Sequence, residues 1–323
     1  MTEASPAESS NDPRRGYLFA AGAFGWWAFI VPSYFKLLSA HGASPYEILA
    51  QRVLFGIPIL LALLGMRKRL GELWDAARRW KTLRILVPST MLIAINWFFF
   101  IYAVGTDRLN HASLGYYINP LVSILLGVVF LGERASTGQK IAIGIAGCAV
   151  VLMTIAELSA GGGWPWISVL LPASFGLYGL LRKQVDVGPV VGLTFEMGAL
   201  LPVCIGLTIW LGMADQGIFL ESETPWWISG AMVLGGVVTV VPLLCFTSAV
   251  RLLPLGTVGL LQFTAPTGQL LLSAIFFGER FTLLKGCAFA LIWIAIAVFV
   301  RDLFATRTRQ RAERACVDTE MLE

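Results

Sequence analysis

Apolar runs recur along this chain from Gly16 almost to the C-terminus, each close to the roughly 20 residues that a helix needs to cross a bilayer core of about 30 Å. Charged residues make up 14% of the chain, whereas soluble domains average about 25%. The runs are too long and too uniformly apolar for barrel strands, and a spanning helix satisfies its own backbone hydrogen bonds. The sequence therefore predicts an all-α, polytopic membrane protein in contact with a lipid bilayer.

Charged or Gly/Pro-rich breaks divide the apolar sequence into ten predicted transmembrane helices. Their approximate bounds are 16–38, 47–66, 82–104, 111–131, 138–156, 164–182, 189–212, 225–250, 256–277 and 283–303. We expect residues 1–15 to form a disordered cytoplasmic N-terminus and residues 304–323 a basic cytoplasmic tail. The first run is long enough to span, so we expect it to stay in the mature chain rather than to act as a cleaved signal peptide.

The distribution of positive charge predicts the orientation. With ten helices and a cytoplasmic N-terminus, most of the 24 Lys and Arg residues fall on the cytoplasmic side, where positive charge is retained. The loops after the fifth and seventh predicted helices carry acidic charges alone (Glu157, Asp215, Glu221 and Glu223). Both termini are therefore predicted to be cytoplasmic. The net charge of +4 is too small to indicate a nucleic-acid partner.

One segment of the chain occurs twice. A shift of 146 residues places Pro120 on Pro266 and the Gly-Glu-Arg run at 132–134 on the run at 278–280. The match extends into the preceding helices, so a unit of five helices is repeated, and the odd number makes the second unit inverted in the membrane. Inverted repeats are the usual architecture of secondary transporters. We interpret the Gly-Glu-Arg runs as helix ends and interfacial anchors rather than as substrate ligands.

Polar side chains share the proline face of both repeated helices. In the fourth predicted helix Tyr116, Asn119 and Ser123 lie at helical spacing around Pro120, beside Tyr117, and in the ninth Gln262 and Gln269 flank the equivalent proline. Polar residues are disfavoured against lipid, so these stripes are candidates to line a solute cavity. Hydrogen bonding between helices around a proline kink is the alternative interpretation.

Ionisable residues within the predicted helices are few. Glu47 and Arg52 lie in the second helix and Glu196 in the seventh, and alignment of the prolines at 58 and 202 makes Arg52 and Glu196 equivalent in the two repeats. An unpaired charge inside a membrane is energetically unfavourable, so we predict that Arg52 engages Glu196 or Glu47. One of these carboxylates would titrate during transport, with protons as the candidate coupling ion. A permanent structural ion pair is the alternative.

Three further side chains are candidates to contact a small organic solute. Asn96 and Trp97 in the third predicted helix and Tyr178 in the sixth offer a hydrogen bond and aromatic surface, although membrane Trp and Tyr residues are also common interfacial anchors. The two histidines and five cysteines form no pattern typical of metal ligands, and no cofactor is predicted.

The chain resembles the RarD branch of the EamA family in the drug/metabolite transporter superfamily over residues 16–303. The resemblance rests on the motifs PSYFKLL (32–38), YEILAQR (46–52), NWFFFIYAV (96–104), ASLGYYINPLVSILLGVVFLGER (112–134), YGLLRK (178–183) and VPLLCFTSAVRLLPLGTVGLLQF (241–263). It implies ten helices in two inverted EamA repeats (16–156 and 164–303), a bacterial inner-membrane location and carriage of small molecules. Glu47 and Arg52, both within YEILAQR, are the candidate residues that transfer most directly.

These observations together predict a secondary transporter of small organic metabolites or drugs that works by alternating access. The sequence has no P-loop motif for ATP binding, so the energy would come from a gradient. It has neither H-E-x-x-H nor G-x-S-x-G, so an intramembrane enzyme is not predicted. A channel or a lipid scramblase is the alternative, and the sequence leaves the solute, the direction of transport and the oligomeric state open.

Overall fold

The computed structural model describes residues 13–105, 109–159, 166–219, 221–269 and 283–320. Helices joined by short connections make up this part of the chain, and no β-strand occurs in it. The helices are α1 (Pro13–Gly25), a π-helical segment (Trp26–Ile30), α2 (Val31–Ala40), α3 (Pro45–Met66), α4 (Leu70–Arg78), α5 (Trp80–Gly105), α6 (Leu109–Leu131), α7 (Thr137–Ser159), α8 (Trp166–Gln184), α9 (Pro189–Met213), α10 (Trp226–Leu252), α11 (Leu255–Gln262) and α12 (Leu283–Glu320).

Six helical stretches within these residues are long and apolar enough to cross a membrane. They are Pro13–Ala40, Pro45–Met66, Trp80–Phe100, Thr137–Ile155, Pro189–Met213 and Trp226–Leu252. A shorter apolar stretch, Gly115–Leu131, lies within α6. These stretches confirm the prediction of an all-α, multi-pass membrane protein. Part of the predicted ninth helix, residues 270–277, lies outside the described residues.

The first membrane stretch is continuous but changes helix type in its middle. Pro32 lacks a backbone N–H and its ring crowds the carbonyl four residues earlier, and the π-helical turn at Trp26–Ile30 widens the helix at that point. Ala28 in this turn is fully buried, and Gly268 packs directly on it. The stretch begins at Pro13, so residues 13–15 are helical, contrary to the prediction that they belong to a disordered terminus.

The structure differs from the predicted span pattern at three further elements. The predicted charged loop after the second span contains the amphipathic helix α4, in which Leu73 and Ala76 pack against α9 residues such as Val191. In the predicted ninth span, α11 ends at Gln262 and a turn at Phe263 precedes a helical segment at 264–269, close to Pro266. The final helix α12 runs through the predicted basic tail to Glu320.

Helices at equivalent positions of the two sequence repeats pack against each other. Helix α3 contacts α9, α6 contacts α11, and α7 contacts α12. Helices α6 and α11 begin at Leu109 and Leu255, which are 146 residues apart, the same shift that aligns the repeats. In α3 and α9 a proline stands first in the helix (Pro45, Pro189) and an ionisable residue eighth (Arg52, Glu196). The α6 and α11 pair keeps the 146-residue shift, and the α3 and α9 pair is shifted by 144 residues, two fewer.

Small residues allow the closest helix approaches. Helices α7 and α12 pack through Ala142, Ala146 and Ala149 on one side and Ala288, Ile292, Ala295 and Phe299 on the other. Helices α3 and α10 meet at Gly236, where an added Cβ would lie 2.8 Å from the backbone nitrogen of Gly56. Small residues at such positions let helix backbones approach and gain van der Waals contact, which is a main source of helix association in lipid.

The first Gly-Glu-Arg run ends α6, as predicted. Gly132 has a φ of +63°, which favours glycine, and the backbone N–H of Glu133 donates to the carbonyl of Gly127 at 3.1 Å. A glycine in the left-handed conformation directly after the last turn is a common helix end. Ser136 then starts α7 with a capping box, in which Ser136 and Gln139 each accept the other's backbone N–H at 3.1 Å.

Candidate functional site

Helix α3 places Arg52 in the interior of the bundle, against α10. The Arg52 Nε–H donates to Thr239 Oγ1 at 2.5 Å, and the Thr239 hydroxyl in turn donates to the carbonyl of Gly235 at 2.9 Å. Gly235 carries no side chain, so the aliphatic stem of Arg52 lies directly over it. The threonine therefore fixes the orientation of the guanidinium group and leaves its two terminal nitrogens free of acceptors among the described residues.

Aromatic rings surround this guanidinium group, and we call the group of residues the Arg52 site. The Arg52 Cζ lies 5.2 Å from the ring centroid of Phe35 and 5.8 Å from that of Trp97, within cation–π distance. The hydroxyl groups of Tyr34 and Tyr116 are its electrostatic neighbours. The Arg52 site comprises Tyr34, Phe35, Arg52, Trp97, Phe100, Tyr116 and Thr239, contributed by α2, α3, α5, α6 and α10.

The Arg52 site has unmatched polar groups. Among the described residues Arg52 forms no ion pair, and the buried hydroxyl of Tyr34 has no hydrogen-bond partner. Arg52 is partly buried, between the helices that contribute the Arg52 site. It is seven residues into α3, about 10 Å along the helix axis, which is well inside a bilayer core.

Glu196 on α9 lies in a separate, fully buried network. The Ser89 hydroxyl donates to its Oε1 at 2.5 Å and the Tyr178 hydroxyl donates to its Oε2 at 3.1 Å. Arg182 Nη1 lies 3.8 Å from Glu196 Oε1, close enough for an ion pair. The prediction that Arg52 engages Glu196 is therefore wrong, because Arg182 supplies the opposite charge.

Arg182 is the functional-site residue that the sequence interpretation misses. At the end of a predicted helix it counts as a cytoplasmic charge, yet it is the largest fully buried side chain described. Gly192 on α9 leaves the space that its guanidinium group fills, and Arg182 Nη2 donates to the carbonyl of Pro189 at 3.2 Å. The sequence signal for this contact is a glycine four residues before a membrane carboxylate, on the same helix face.

Glu47 also has a different partner from the one predicted. Its Oε1 accepts the backbone N–H of Phe219 at 2.8 Å, and its own N–H donates to Ser44 Oγ at 3.2 Å. Glu47 is thus in the first turn of α3, where a carboxylate is favoured by the helix dipole, and it holds the loop that follows α9. This carboxylate closes a loop onto the bundle rather than neutralising Arg52.

An aromatic layer separates the Arg52 site from the Glu196 network. Trp27 lies 5.8 Å from Phe175 and 5.7 Å from Phe246 between ring centroids, and the ring of Tyr178 stacks on Phe246 at 6.2 Å. Trp97, which contacts Arg52, packs into the same apolar cluster as Tyr178. These rings connect the two sites through apolar contacts, and no chain of hydrogen bonds joins Arg52 to Glu196 among the described residues.

The two predicted polar stripes partly face each other. Ser123 Oγ on α6 lies 3.4 Å from Gln262 Oε1 on α11, and both side chains are buried. Gln269 instead donates to the carbonyl of Trp27 in the π-helical turn at 2.9 Å. The buried Oδ1 of Asn119 has no partner in the part of the chain that the structure describes. Here the stripes form helix contacts, as in the alternative interpretation.

Two other candidates lie outside the charged sites. Asn96 donates to the carbonyl of Leu171 at 2.9 Å and to Ser174 Oγ at 3.0 Å, so it joins α5 to α8. Tyr117 is buried in the core between α6, α7 and α12, on the side of α6 away from Phe100 and Tyr116. The structure therefore brings Trp97 and Tyr116 to Arg52, and Tyr178 to Glu196.

Glu133, from the first Gly-Glu-Arg run, connects the two repeats. Its carboxylate accepts the backbone N–H groups of Leu255 at 2.6 Å and Gly256 at 2.8 Å, which are the first residues of α11. Lys183 Nζ lies 3.3 Å from the same carboxylate and donates to the carbonyl of Leu253 at 2.6 Å. We call these residues the Glu133 contact; it joins the ends of α6, α8 and α10 to the start of α11.

No group of three or more His, Cys, Asp or Glu side chains that could hold a metal ion occurs in the described part of the chain.

Comparison with known proteins gives consistent matches over nearly the whole chain. The model of the EamA-like transporter family matches residues 14–155 and 164–301. Protein RarD of Streptomyces exfoliatus is 36% identical over 308 residues, 94% of each chain, and Protein RarD of Escherichia coli strain K12 is 38% identical over 92% of this chain and 97% of that one. An uncharacterized transporter of Vibrio cholerae is 37% identical over 90% of this chain and 93% of that one.

A solved crystal structure shares the fold. It superposes on 89% of this chain and 97% of its own length with a TM-score of 0.65, at 17% sequence identity.

Proposed function

Because the chain belongs to the EamA-like transporter family and is a multi-pass membrane protein, we propose that it moves small organic metabolites or drugs as a secondary transporter by alternating access. Ten helices would form two inverted repeats, at 16–156 and 164–303. The protein would lie in a bacterial inner membrane with both termini in the cytoplasm. The RarD branch of the drug/metabolite transporter superfamily is the group that it resembles most in its motifs.

The pairing of equivalent helices supports this mechanism best. Helices α3 and α9, α6 and α11, and α7 and α12 contact each other across the boundary between the repeats. In a carrier of inverted repeats, the two halves rock against each other around a central site. The contact between α6 and α11 includes polar interactions that another conformation could exchange, among them the Glu133 contact.

The interior arrangement is also consistent with a carrier. The Arg52 site and the Glu196 network lie on either side of the aromatic layer. A carrier requires such a barrier, because an open polar connection would conduct ions. Loss of the contacts at one end and their formation at the other would expose a central site alternately to the two sides.

Protons are the coupling ion that we propose to test. Glu196 is a buried carboxylate that accepts hydrogen bonds from Ser89 and Tyr178, so it is the candidate proton carrier in the second repeat. Its contact with Arg182 is 3.8 Å, longer than a charge-assisted hydrogen bond, so the pair can separate. Solute uptake into proteoliposomes with and without an imposed proton gradient measures this coupling.

Counterflow in proteoliposomes tests the carrier mechanism. Vesicles containing the full chain would be loaded with a mixture of small metabolites, and labelled members of the mixture would be added outside. A carrier gives saturable uptake that depends on the internal solute. Linear flux without dependence on internal solute would indicate a channel, and flip-flop of labelled phospholipid without solute exchange would indicate a scramblase. Either of these results would contradict the proposed mechanism.

A further inference from the structure

We propose that Arg52 binds the carboxylate of a small organic monoanion, whose apolar body lies against the rings of the Arg52 site. This inference depends on the proposed transport function, since it names the class of solute carried. Arg52, Tyr34, Trp97 and Tyr116 converge there from four helices, with an unmatched positive charge and an unmatched hydroxyl group among the described residues.

The first argument is charge. An arginine within a membrane is energetically unfavourable unless a partner or water compensates its charge. Arg182 has Glu196, whereas Arg52 has no ion pair among the described residues. Glu47, five residues before Arg52 on α3, is engaged by the backbone N–H of Phe219. The compensating negative charge at Arg52 can therefore come from a bound solute.

The second argument is geometry. Thr239 accepts the Nε–H of Arg52, which leaves Nη1 and Nη2 as a pair of donors with no acceptor among the described residues. A carboxylate can accept both in a bidentate arrangement, the preferred geometry of an arginine–carboxylate pair. The buried hydroxyl of Tyr34 lacks a partner within the described ranges and is an electrostatic neighbour of Arg52, so it can donate to the same anion.

The charge of the site favours a monoanion. Arg52 is the charged group that interacts electrostatically with the hydroxyl groups of both Tyr34 and Tyr116. One cation balances one carboxylate, whereas a phosphate dianion would keep an uncompensated charge inside the membrane. No described carboxylate acts on these residues, so the site offers no ion pair to the ammonium group of a zwitterion.

The rings determine what else the solute carries. Phe35 and Phe100 lie 6.3 Å apart between centroids, and Phe100 lies 6.0 Å from Tyr116. These rings and Trp97 are half-buried. An apolar chain or ring attached to the carboxylate would gain burial against them.

Matched acids and amides test this inference by thermal shift of the purified full chain. The probes are hexanoate, benzoate and phenylacetate, each with its neutral amide, and phenylalanine as the zwitterion. We expect at least one acid to raise the apparent Tm in a saturable manner, since ligand binding stabilises the folded state. We expect its amide and phenylalanine to bind at least tenfold more weakly. Equal stabilisation by acid and amide, or no response to any acid, would overturn the inference.

Two variants locate the binding site. Arg52→Gln should weaken binding of the responding acid at least tenfold, and Thr239→Val, which keeps the charge but removes the Nε acceptor, should weaken it several-fold. Arg67→Gln removes a charge from an exposed position and is the matched control, for which we expect wild-type binding. If Arg52→Gln does not fold, the binding measured for Thr239→Val and the difference between acid and amide still test the inference. Wild-type affinity in Thr239→Val would contradict the assigned geometry.

Counterflow separates failure of this inference from failure of the proposed function. Saturable exchange of neutral or cationic solutes, with no exchange of carboxylates, would leave the carrier mechanism intact and overturn the role of Arg52. Absence of saturable exchange for every solute would contradict the carrier mechanism itself.

Discussion

At the scale of residues, two interior arginines differ in how their charges are compensated. Arg182 is fully buried and faces Glu196, whereas Arg52 is partly exposed and contacts rings and a hydroxyl group. A buried ion pair is often close to neutral for stability, but removal of one partner leaves an uncompensated charge. The charge of Arg182 is thus compensated within the protein, whereas that of Arg52 has no ion-pair partner among the described residues.

We predict that Glu196→Gln lowers the free energy of unfolding by about 3 kcal/mol, because Arg182 keeps its charge without a partner. Arg182→Gln should also destabilise, and the double variant should recover part of the loss. Chemical unfolding of purified protein in detergent measures all three, and Glu72→Gln in the exposed pair with Arg69 is the control, with little expected effect. Strictly additive effects of the two changes would contradict direct coupling.

The sequence identified most of the important residues but not their pairing. Rarity of charge in apolar segments was enough to select Glu47, Arg52 and Glu196. Their partners depend on which helix faces meet in three dimensions, and the relevant partners are a backbone N–H at Phe219 and the arginine at 182. A backbone donor has no sequence signal, and an arginine at a predicted helix end looks like an interfacial anchor.

At the scale of elements, glycines on α10 determine how closely it approaches α3. Gly235 lies under the stem of Arg52, where an added Cβ would be 3.1 Å from its Cγ. At Gly236 an added Cβ would meet the backbone of Phe55 and Gly56, which cannot move as a side chain can. The position of the Arg52 site relative to α10 therefore depends on two adjacent small residues.

We predict that Gly236→Ala destabilises the protein by about 1–3 kcal/mol, the usual range for overpacking, because α3 and α10 must separate. Gly230→Ala, on the same helix with nothing within 4 Å of the added Cβ among the described residues, is the control and should be neutral or slightly stabilising. Thermal unfolding in detergent compares the two. Equal stability of both variants would contradict the close approach of these helices.

The Glu133 contact gives a second prediction at this scale. Pro254, the N-cap of α11, has no capping side-chain bond, so Glu133 supplies acceptors for the first N–H groups of that helix. Glu133→Ala should destabilise the conformation in which the Glu133 contact is formed by about 1 kcal/mol. The population of molecules in which this end is open should then rise roughly fivefold. A cysteine introduced by Thr257→Cys, at a buried position near the start of α11, should therefore react faster with a thiol label in the Glu133→Ala background.

The exposed neighbour Arg134→Ala is the control for this experiment, and it should leave the labelling rate unchanged. The same rate in Glu133→Ala and wild type would show that the contact does not hold this end closed.

At the scale of the whole molecule, the all-helical chain matches the EamA-like family model twice, at residues 14–155 and 164–301. The starts of α6 and α11 keep the 146-residue shift of the repeat, those of α3 and α9 are 144 residues apart, and the equivalent helices pack together. Hydropathy and an internal match were sufficient to predict an all-helical membrane protein built from two repeats. The π-helical turn, the amphipathic helix α4 and the break after α11 were not predicted, because each depends on local packing around a proline or a loop.

We predict that both termini lie on the cytoplasmic side and that the loop between α9 and α10 lies outside. In a variant whose other cysteines are serine, Cys316 and an engineered Thr2→Cys should react with a membrane-impermeant maleimide in inverted vesicles alone. A Glu223→Cys variant should react in intact spheroplasts. Labelling of Thr2→Cys and Cys316 from opposite sides would contradict an even number of crossings.

The equivalence of Arg52 and Glu196 in the repeat has a consequence for energetics. If the two halves were identical, the conformations open to the two sides would be related by a two-fold rotation and would have equal free energies. In the proposed carrier, a cation in one half and an ion-paired carboxylate in the other would make these free energies unequal, so we expect the empty protein to populate the two conformations unequally. We expect the membrane voltage to act on this imbalance as well, because the two equivalent positions, 52 and 196, carry opposite charges.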